Sequence, residues 1–510
     1  MPLLMNPLIH RRRFLSSAAA VTGAFALVPR HILGGAGFVA PNDKIALAHI
    51  GMGTQGFAEL GGLLEDRRIQ IVAVCDPNRD SNDYIEWGRH SIRNRIRSYL
   101  GNQTWREGVE GCPGGRDVGR EVIETWYSNQ RGTPFKGCAT YIDFRELLEK
   151  ESDLDAVKVM TPDHLHAAVA IAAMRKRRHV LMHKPIANRL AEGRWVVDTA
   201  RETGVATHLL AYGAGPDNRR IIERIQEGVI GALREIHNWS NRPVWPQYTE
   251  ISKDRPPIPK DFAWDLWLGP ERHRPYHPHY THTVFRGWYD FGGGSMADMG
   301  IYSLWPVFTG LELEAPLSAE AWASHTCEIA GNVSRVTRND FAYPAACSIR
   351  FRFAAGPKRP ALDLFWYDGG MKPRLPAELE AHDLTPTPEG ILFVGDRGSI
   401  LAGFQGQNPR LFIQGENRAL RLDTGSTDGI RAARSERSSP WVAACQGEEA
   451  SPGNFVNAAA ITDAVNLGTV ALRAGRKVLF DSAAMRITNV PEANRYLVRE
   501  YRPGWELTGV

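Results

Sequence analysis

Apolar and polar positions along this chain fall into two textures. From Lys44 to about Leu210, short apolar β-rich runs alternate with segments of helical spacing. "IALAHI" reads as a buried strand, "IQIVAVC" as a second, "LDAVKVM" as a third, "HVLMHKP" as a fourth and "VATHLLA" as a fifth. Between them, "DFRELLEK" with Asp143 as N-cap, the Ala-rich "AAVAIAAMRK" and "EGRWVVDTARETG" have the spacing of helices. Strand alternating with helix predicts βαβ units and a doubly wound parallel sheet. A helix is also expected over Phe57 to Leu64, directly after the first strand.

Beyond Leu210 the pattern changes. "DNRRIIERIQEGVIG" is an amphipathic helix stopped by Gly231, and "ALREIHNWSNRPVW" begins as a strand. A proline- and aromatic-rich span extends from Arg242 to Asp290. "ACSIRFRFAA", "PALDLFWYDG", "GILFVGDRGSILAGF" and "PRLFIQG" then alternate apolar and polar residues. These predict a large, open, mostly antiparallel sheet in a second α/β domain. "NAAAITDAVNLGTVALRAG" predicts a late helix packing back on the body. The expected organisation is an N-terminal segment over 1–40, a nucleotide domain over 41–210 and a substrate or oligomerisation domain over 211–510. A polar insertion of loops and short helices occupies about 78–137.

The first strand ends in "GMGTQG". Gly51 allows a tight turn, Gly53 lets backbone approach a pyrophosphate, and Gly56 lets the next helix pack closely. Thr54 and Gln55 complete the loop. Asp76 ends the second strand, a little beyond the position about 20 residues on where an acid binds the adenosine ribose. Order and spacing predict a dinucleotide site. The aspartate favours NAD, because it repels a 2′-phosphate; nearby Arg79 keeps NADP open.

Composition adds boundaries. The 510 residues require more than one domain, and 43% hydrophobic content supports sizeable cores. A formal net charge of +4 gives no reason to expect nucleic acid, and no apolar run is long enough to span a bilayer. The six cysteines form no C-x-x-C pair, although Cys112 and Cys138 lie close enough in one loop-rich segment to pair. At the N-terminus, Arg11, Arg12 and Arg13 precede Phe14, Leu15 and a short, weakly apolar stretch. That is the form of a twin-arginine signal, with cleavage between Ala36 and Ala40 and a periplasmic destination. The alternative is a basic tail on a cytoplasmic protein.

Taken in order, "GMGTQG", "VCD", "TPDHLH", "HKP" and "FGGGSMADMG" resemble the Gfo/Idh/MocA oxidoreductases. "WDLWLGP", "RPYHPHYTH" and "VPEANRYLVREYRPGWEL" resemble its secreted bacterial branch, related to its NAD-dependent glycoside hydrolases. The resemblance implies a Rossmann domain, an open-sheet second domain that often builds homo-oligomers, and a sugar, glycoside or cyclitol substrate. It places the family's E-K-P lysine on Lys184, with His183 where the glutamate usually stands. It sets Pro162, His164 and His166 beside the nicotinamide. The family's acid/base histidine, four positions after the D-M-G aspartate, falls on Tyr302 after Asp298.

Oxidising a carbinol needs a hydride acceptor and a base. Lys184, Asp298, Tyr302 and His282 are the candidates for that chemistry, and Tyr280, Arg286 and Trp288 for sugar contacts. A structural role for Lys184, holding a ribose hydroxyl, is the competing reading. Trp264 and Trp267 also sit in the sugar-loop region. His277, His279 and His282 could be a metal site, but H-x-H-x-x-H has no recognised ligand spacing, so no metal is expected. Three functions compete: a dehydrogenase or ketoreductase, a glycoside hydrolase using transient oxidation, and a non-catalytic dinucleotide binder.

Overall fold

The computed structural model describes residues 43–507, apart from 214–215, 338, 381, 383–386, 417–418 and 423–438. Met1–Lys44 is one unit and Ile45–Val510 the other. The twin-arginine reading lies outside the described residues.

The strands of the first half are β1 (Ile45–Ile50), β2 (Ile69–Cys75), β3 (Ser81–Tyr84), β4 (Cys112–Gly114), β5 (Ala139–Tyr141), β6 (Ala156–Val159), β7 (His179–Met182) and β8 (Thr207–Leu209). Six of them form one sheet in the order β5–β2–β1–β6–β7–β8, paired in parallel throughout. The chain runs outward from β1 through β2 to β5, then crosses back to β6. The C-terminal ends of β1 and β6 therefore border the topological switch point, where such sheets take ligands. β6 is buried along its whole length and β1 nearly so, as expected with both faces covered.

The helix expected over Phe57 to Leu64 is two short pieces, Thr54–Ala58 and Gly61–Glu65. The Gly61–Gly62 pair has poor helix propensity, and Glu59 leaves helical geometry at φ −109°. Between β2 and β5 the insertion holds the antiparallel β3–β4 ribbon, the helix Ser91–Leu100 and the helix Arg116–Arg131. Cys112 and Cys138 do not pair. Both are free thiols, and each Sγ sits against the carbonyl of the next residue.

The strands of the second half begin with β9 (Leu233–Trp239) and β10 (Ser318–Ala323). An exposed hairpin of β11 (Cys327–Ala330) and β12 (Val333–Val336) stands apart. Then come β13 (Cys347–Phe353), β14 (Leu362–Tyr367), β15 (Gly390–Gly395), β16 (Gly398–Ala402), β17 (Arg410–Ile413), β18 (Leu420–Arg421), β19 (Val478–Asp481) and β20 (Arg486–Ile487). All but the hairpin join one sheet in the order β18–β17–β16–β15–β9–β14–β13–β10–β19–β20. The β9–β14 pair is parallel and the other pairs are antiparallel.

The late helix, Ala459–Ala474, joins the two halves. Its Asp463 pairs with Arg194 of the helix Leu190–Thr203 at 2.6 Å. A Cβ on its Gly468 would stand 2.9 Å from Phe351 on β13, so the helix lies close on the second sheet. The span from Arg242 to Asp290 is built around an aromatic cluster of Tyr248, Phe262, Trp264, Trp267, Tyr280, Trp288 and Phe291.

Candidate functional site

The glycine loop performs two of its three expected tasks in the chain's own packing. Gly51 has φ +99°, and a Cβ there would stand 2.5 Å from the Met160 carbonyl oxygen. A Cβ on Gly56 would meet the Gly51 carbonyl oxygen at 2.5 Å, so glycine is needed where helix and strand meet. Gly53 differs. Its open side faces the Tyr84 ring, with Cε1 2.9 Å from where a Cβ would be.

Tyr84 belongs to a strap formed by the insertion. Its ring lies 4.0 Å from that of His282, and Asp83 lies 3.4 Å from His282 Nε2. Thr54 Oγ1 donates to the Ile85 carbonyl at 2.7 Å, and Thr283 Oγ1 donates to the same oxygen at 3.3 Å. The strap is thus fastened both to the glycine loop and to the turn His282–Gly287.

Beneath it a cavity crosses the C-terminal ends of β1, β2 and β6. Asp76, Pro77 and Tyr84, the glycine-loop residues Gly51, Gly53, Thr54 and Gln55, and Met160, Thr161, Pro162, His183, Thr283 and Arg286 line it. Its volume is about 100 Å³, whereas small-molecule pockets run from about 300 to 1,000 Å³. The lining residues fit a dinucleotide: a tight glycine turn, a carboxylate at the end of β2 and backbone at the switch point lie along one cavity. With Tyr84 packed beside Gly53, the cavity is smaller than such a ligand. Asp76 is also committed locally, accepting from Met52 N–H at 2.6 Å and Asn78 N–H at 2.8 Å. Burial raises its pKa against those two amides. Arg79 pairs with Asp117 at 2.8 Å and lies 3.8 Å from Asp261.

Behind His183 lies a buried charge cluster. Asp298 sits on a π-helical turn, Met296–Gly300. Its Oδ1 accepts from Lys184 Nζ at 2.7 Å, and Lys184 also donates to the Asp298 main-chain carbonyl. Arg286 Nε lies 3.1 Å from Oδ1 and Arg242 Nε 3.3 Å from Oδ2. Burial alone would raise Asp298, but Lys184 and the two guanidiniums hold it well below the usual carboxylate range. Lys184 is lowered by burial, and the ion pair with Asp298 opposes that shift.

His183 is kept neutral by burial and by Lys184, Arg286, His166 and Lys158 around it. Its Nε2 is 3.3 Å from the Tyr302 hydroxyl and 3.7 Å from Glu59 Oε1. The two positions that depart from the family pattern therefore face each other. Lys184 Nζ also lies 4.9 Å from the Tyr302 ring centre.

Several sequence expectations land elsewhere. Lys184, Asp298 and Tyr302 come together but do not line the cavity; the nearby wall is His183 and Arg286. His282 lines it, yet faces Tyr84 and Asp83 rather than Asp298. Pro162 is on the wall, but His164 and His166 are not. His164 Nε2 contacts the Trp267 carbonyl at 2.8 Å, and burial lowers its pKa to about 3. His166 spans the carbonyls of Pro185 and Thr161, fixing those two loops together. Tyr280 and Trp288 are 4% and 1% exposed inside the aromatic cluster, so they pack rather than present faces to a sugar. The rings of His277 and His279 meet edge to face, 4.1 Å apart, while His282 pairs with Asp83. Among the described residues no group of three His, Cys, Asp or Glu is placed to hold a metal.

The glycines of "FGGGSMADMG" meet protein. A Cβ on Gly292 would stand 2.5 Å from Arg286 Cα, and one on Gly293 would collide with Ala297 Cβ. Sequence reasoning missed Tyr84, Arg242 and Glu59, because each reaches the site from another element. His183 was visible as a departure from E-K-P, which was the available signal.

Two family descriptions match this architecture. Residues 126–210 match "Oxidoreductase family, NAD-binding Rossmann fold", and residues 230–355 match "Oxidoreductase family, C-terminal alpha/beta domain". Both descriptions are of the Gfo/Idh/MocA oxidoreductase family, and together they cover under half of the chain. The first match begins after the glycine loop and the strap, so the strap lies outside the matched part of the Rossmann domain.

Among curated relatives, the chain is 24% identical over 241 residues to "Glycosyl hydrolase family 109 protein 1" of Shewanella sp. (strain MR-4). It is 22% identical over 241 residues to an "Alpha-N-acetylgalactosaminidase" of Shewanella oneidensis. Each match covers 44% of this chain and 44% of the relative, so the chain spans under half the length of these relatives. Among solved structures, the WlbA dehydrogenase of Chromobacterium violaceum, in complex with NADH and UDP-GlcNAcA, aligns with TM-score 0.51 at 14% identity, covering 87% of this chain and 97% of that one. The Bordetella pertussis WlbA dehydrogenase aligns with TM-score 0.50 at 13% identity, covering 86% and 99%. These likenesses support the fold.

Proposed function

We propose that the protein is an NAD-dependent oxidoreductase acting on a carbinol of a sugar, glycoside or cyclitol. The observation that carries this is a single cavity at the switch point. It joins Asp76 and the glycine loop to His183 and Arg286, with the Lys184–Asp298 pair directly behind. A bound nicotinamide would supply the hydride acceptor or donor. Asp76 with Gly51, Gly53 and Thr54 would hold the cofactor's adenosine and phosphate portions, and Met160, Thr161 and Pro162 its nicotinamide end.

The chain's own residues divide the remaining work. Asp298, held ionised, anchors three cations, among them Arg286 on the cavity wall. Lys184 spends its hydrogen bonds on Asp298 and acts as a positioning residue. His183 is the wall residue able to move a proton: a neutral imidazole accepts at one nitrogen and donates at the other. Tyr302 and Glu59 stand beside its Nε2 as the next groups in a relay.

The relatives named glycosyl hydrolase family 109 favour a second reading, in which transient oxidation serves glycoside cleavage with no net redox change. Asp76 favours NAD over NADP in either case. We also infer a periplasmic location from the R-R-x-F-L sequence at Arg11 to Leu15. Changing Arg11 and Arg12 together to Lys should trap the precursor in the cytoplasm; normal export of that variant would refute the signal.

The deciding experiment is mass spectrometry of the nucleotide that co-purifies, followed by a sugar panel read at the NADH absorbance and a panel of chromogenic glycosides. Bound NAD with NADH formation supports the dehydrogenase. Aglycone release without net NADH supports the hydrolase. Bound NAD with neither supports a non-catalytic binder.

A further inference from the structure

We propose that the sugar taken by this site carries a negative charge, either a carboxylate or a sulfate ester, received by Arg286 with Arg242 behind it. This rests on the sugar-oxidoreductase reading above and narrows its substrate class.

Arg286 is 9% exposed, yet it lines the cavity. Its Nε lies 3.1 Å from Asp298 Oδ1 but is misaligned and makes no hydrogen bond. Among the described residues, its terminal nitrogens make none either. A buried guanidinium whose donors lack acceptors is costly unless a ligand supplies them. The backbone at this position is fixed as well, because Gly292 packs against Arg286 Cα with no room for a Cβ. The guanidinium itself is positioned by Asp298 beside its Nε and by the Phe285 ring, 4.6 Å from its Cζ, which lowers the cost of binding.

The charge balance points the same way. Lys184, Arg242 and Arg286 surround Asp298, and Asp163 is the next carboxylate in range. Three cations thus face two anions. The other charged groups nearby are matched: Lys158 with Glu59 at 3.8 Å, and Asp83 with His282 at 3.4 Å. His183 is neutral and supplies nothing. One positive charge remains in a largely water-excluded place, where a charge seeks a partner. Arg242 donates from Nη1 to Asn241 Oδ1 at 2.7 Å and lies behind Arg286, on the other oxygen of Asp298. A planar carboxylate or a sulfate oxygen pair matches the arginine fork, whereas a neutral hydroxyl leaves the charge unbalanced. The competing consumer of this charge is a phosphate of the dinucleotide itself, and the test separates the two.

The test uses the purified full chain with saturating NAD. Glucuronate and galacturonate, glucose 6-sulfate and galactose 6-sulfate, and neutral glucose and galactose are titrated by calorimetry. NAD affinity is measured separately by fluorescence. At least one anionic sugar should bind roughly 10- to 100-fold tighter than its neutral counterpart, the range of a hydrogen bond to a charged group. Preference for uronates over sulfates, or the reverse, identifies the anion. Arg286→Gln should abolish the preference and leave NAD affinity unchanged, while Arg286→Lys should restore part of it. Equal binding of neutral and anionic sugars by the NAD-loaded protein overturns the inference. So does an Arg286→Gln variant that loses NAD instead, because Arg286 then serves the cofactor. If the wild type binds no nucleotide, the oxidoreductase reading fails; anionic-sugar binding by the nucleotide-free chain still decides the anion site.

Discussion

Asp298 holds three cations, and removing it should cost more than removing any one of them. Its carboxylate lies 2.7 Å from Lys184 Nζ, 3.1 Å from Arg286 Nε and 3.3 Å from Arg242 Nε, with its side chain 9% exposed. Asp298→Asn keeps the shape but leaves an ammonium and two guanidiniums facing one another. Breaking a buried ion pair by removing one partner typically costs about 3–5 kcal/mol. Lys184→Met is gentler. Methionine fills much of the same slot, and Asp298 keeps both guanidiniums, so the loss is near that of one hydrogen bond to a charged group, about 1.5–3 kcal/mol. The double variant should be more stable than Asp298→Asn alone, because the stranded ammonium is gone. Urea unfolding at pH 7.5, followed by tryptophan fluorescence, gives the three midpoints at a common slope. If Lys184→Met proves as damaging as Asp298→Asn, or the double variant is the least stable, then Asp298 is not the anchor of this cluster.

Three other expectations are simpler. His164, with pKa lowered to about 3, and His208, lowered to about 4, are neutral when folded. The unfolded chain takes up their protons as pH falls below about 6.5, so stability is lost from there downward, by about 2 kcal/mol for each at pH 5. His208→Gln should flatten the fall of the urea midpoint between pH 7.5 and 5; an unchanged profile would count against a neutral His208. Tyr84→Ala should open the cavity over Gly53 and speed NADH release at least several-fold in stopped-flow fluorescence; an unchanged release rate would mean that the strap does not gate the crevice. His183→Gln should lower turnover about 10²–10⁴-fold, as for loss of a positioned acid/base group, with Tyr302→Phe less damaging. The opposite ranking would assign the proton transfer to Tyr302.

The local pattern by itself determined much of this protein. The βαβ alternation before Leu210, the alternating strands after it and the glycine turn at Gly51 depend on neighbours a few residues apart, and such neighbours are written in order along the chain. Asp143 likewise caps its helix by accepting from Arg145 N–H, two residues on. The same local reading put Lys184 and Asp298 on two separate motifs worth joining. What tertiary structure decided is where side chains end up when distant segments meet. Tyr84 fills the space beside Gly53 because a ribbon inside the insertion folds over the loop, and no periodicity encodes that. Tyr280 and Trp288 read as sugar contacts in an aromatic, proline-rich span; apolar burial drew both into one aromatic cluster instead. His183 and Tyr302 stand 119 positions apart and meet at 3.3 Å. Arg242 and Arg286 acquire their meaning only through the shared carboxylate of Asp298, for electrostatic energy depends on distance and burial in space, and sequence order fixes neither.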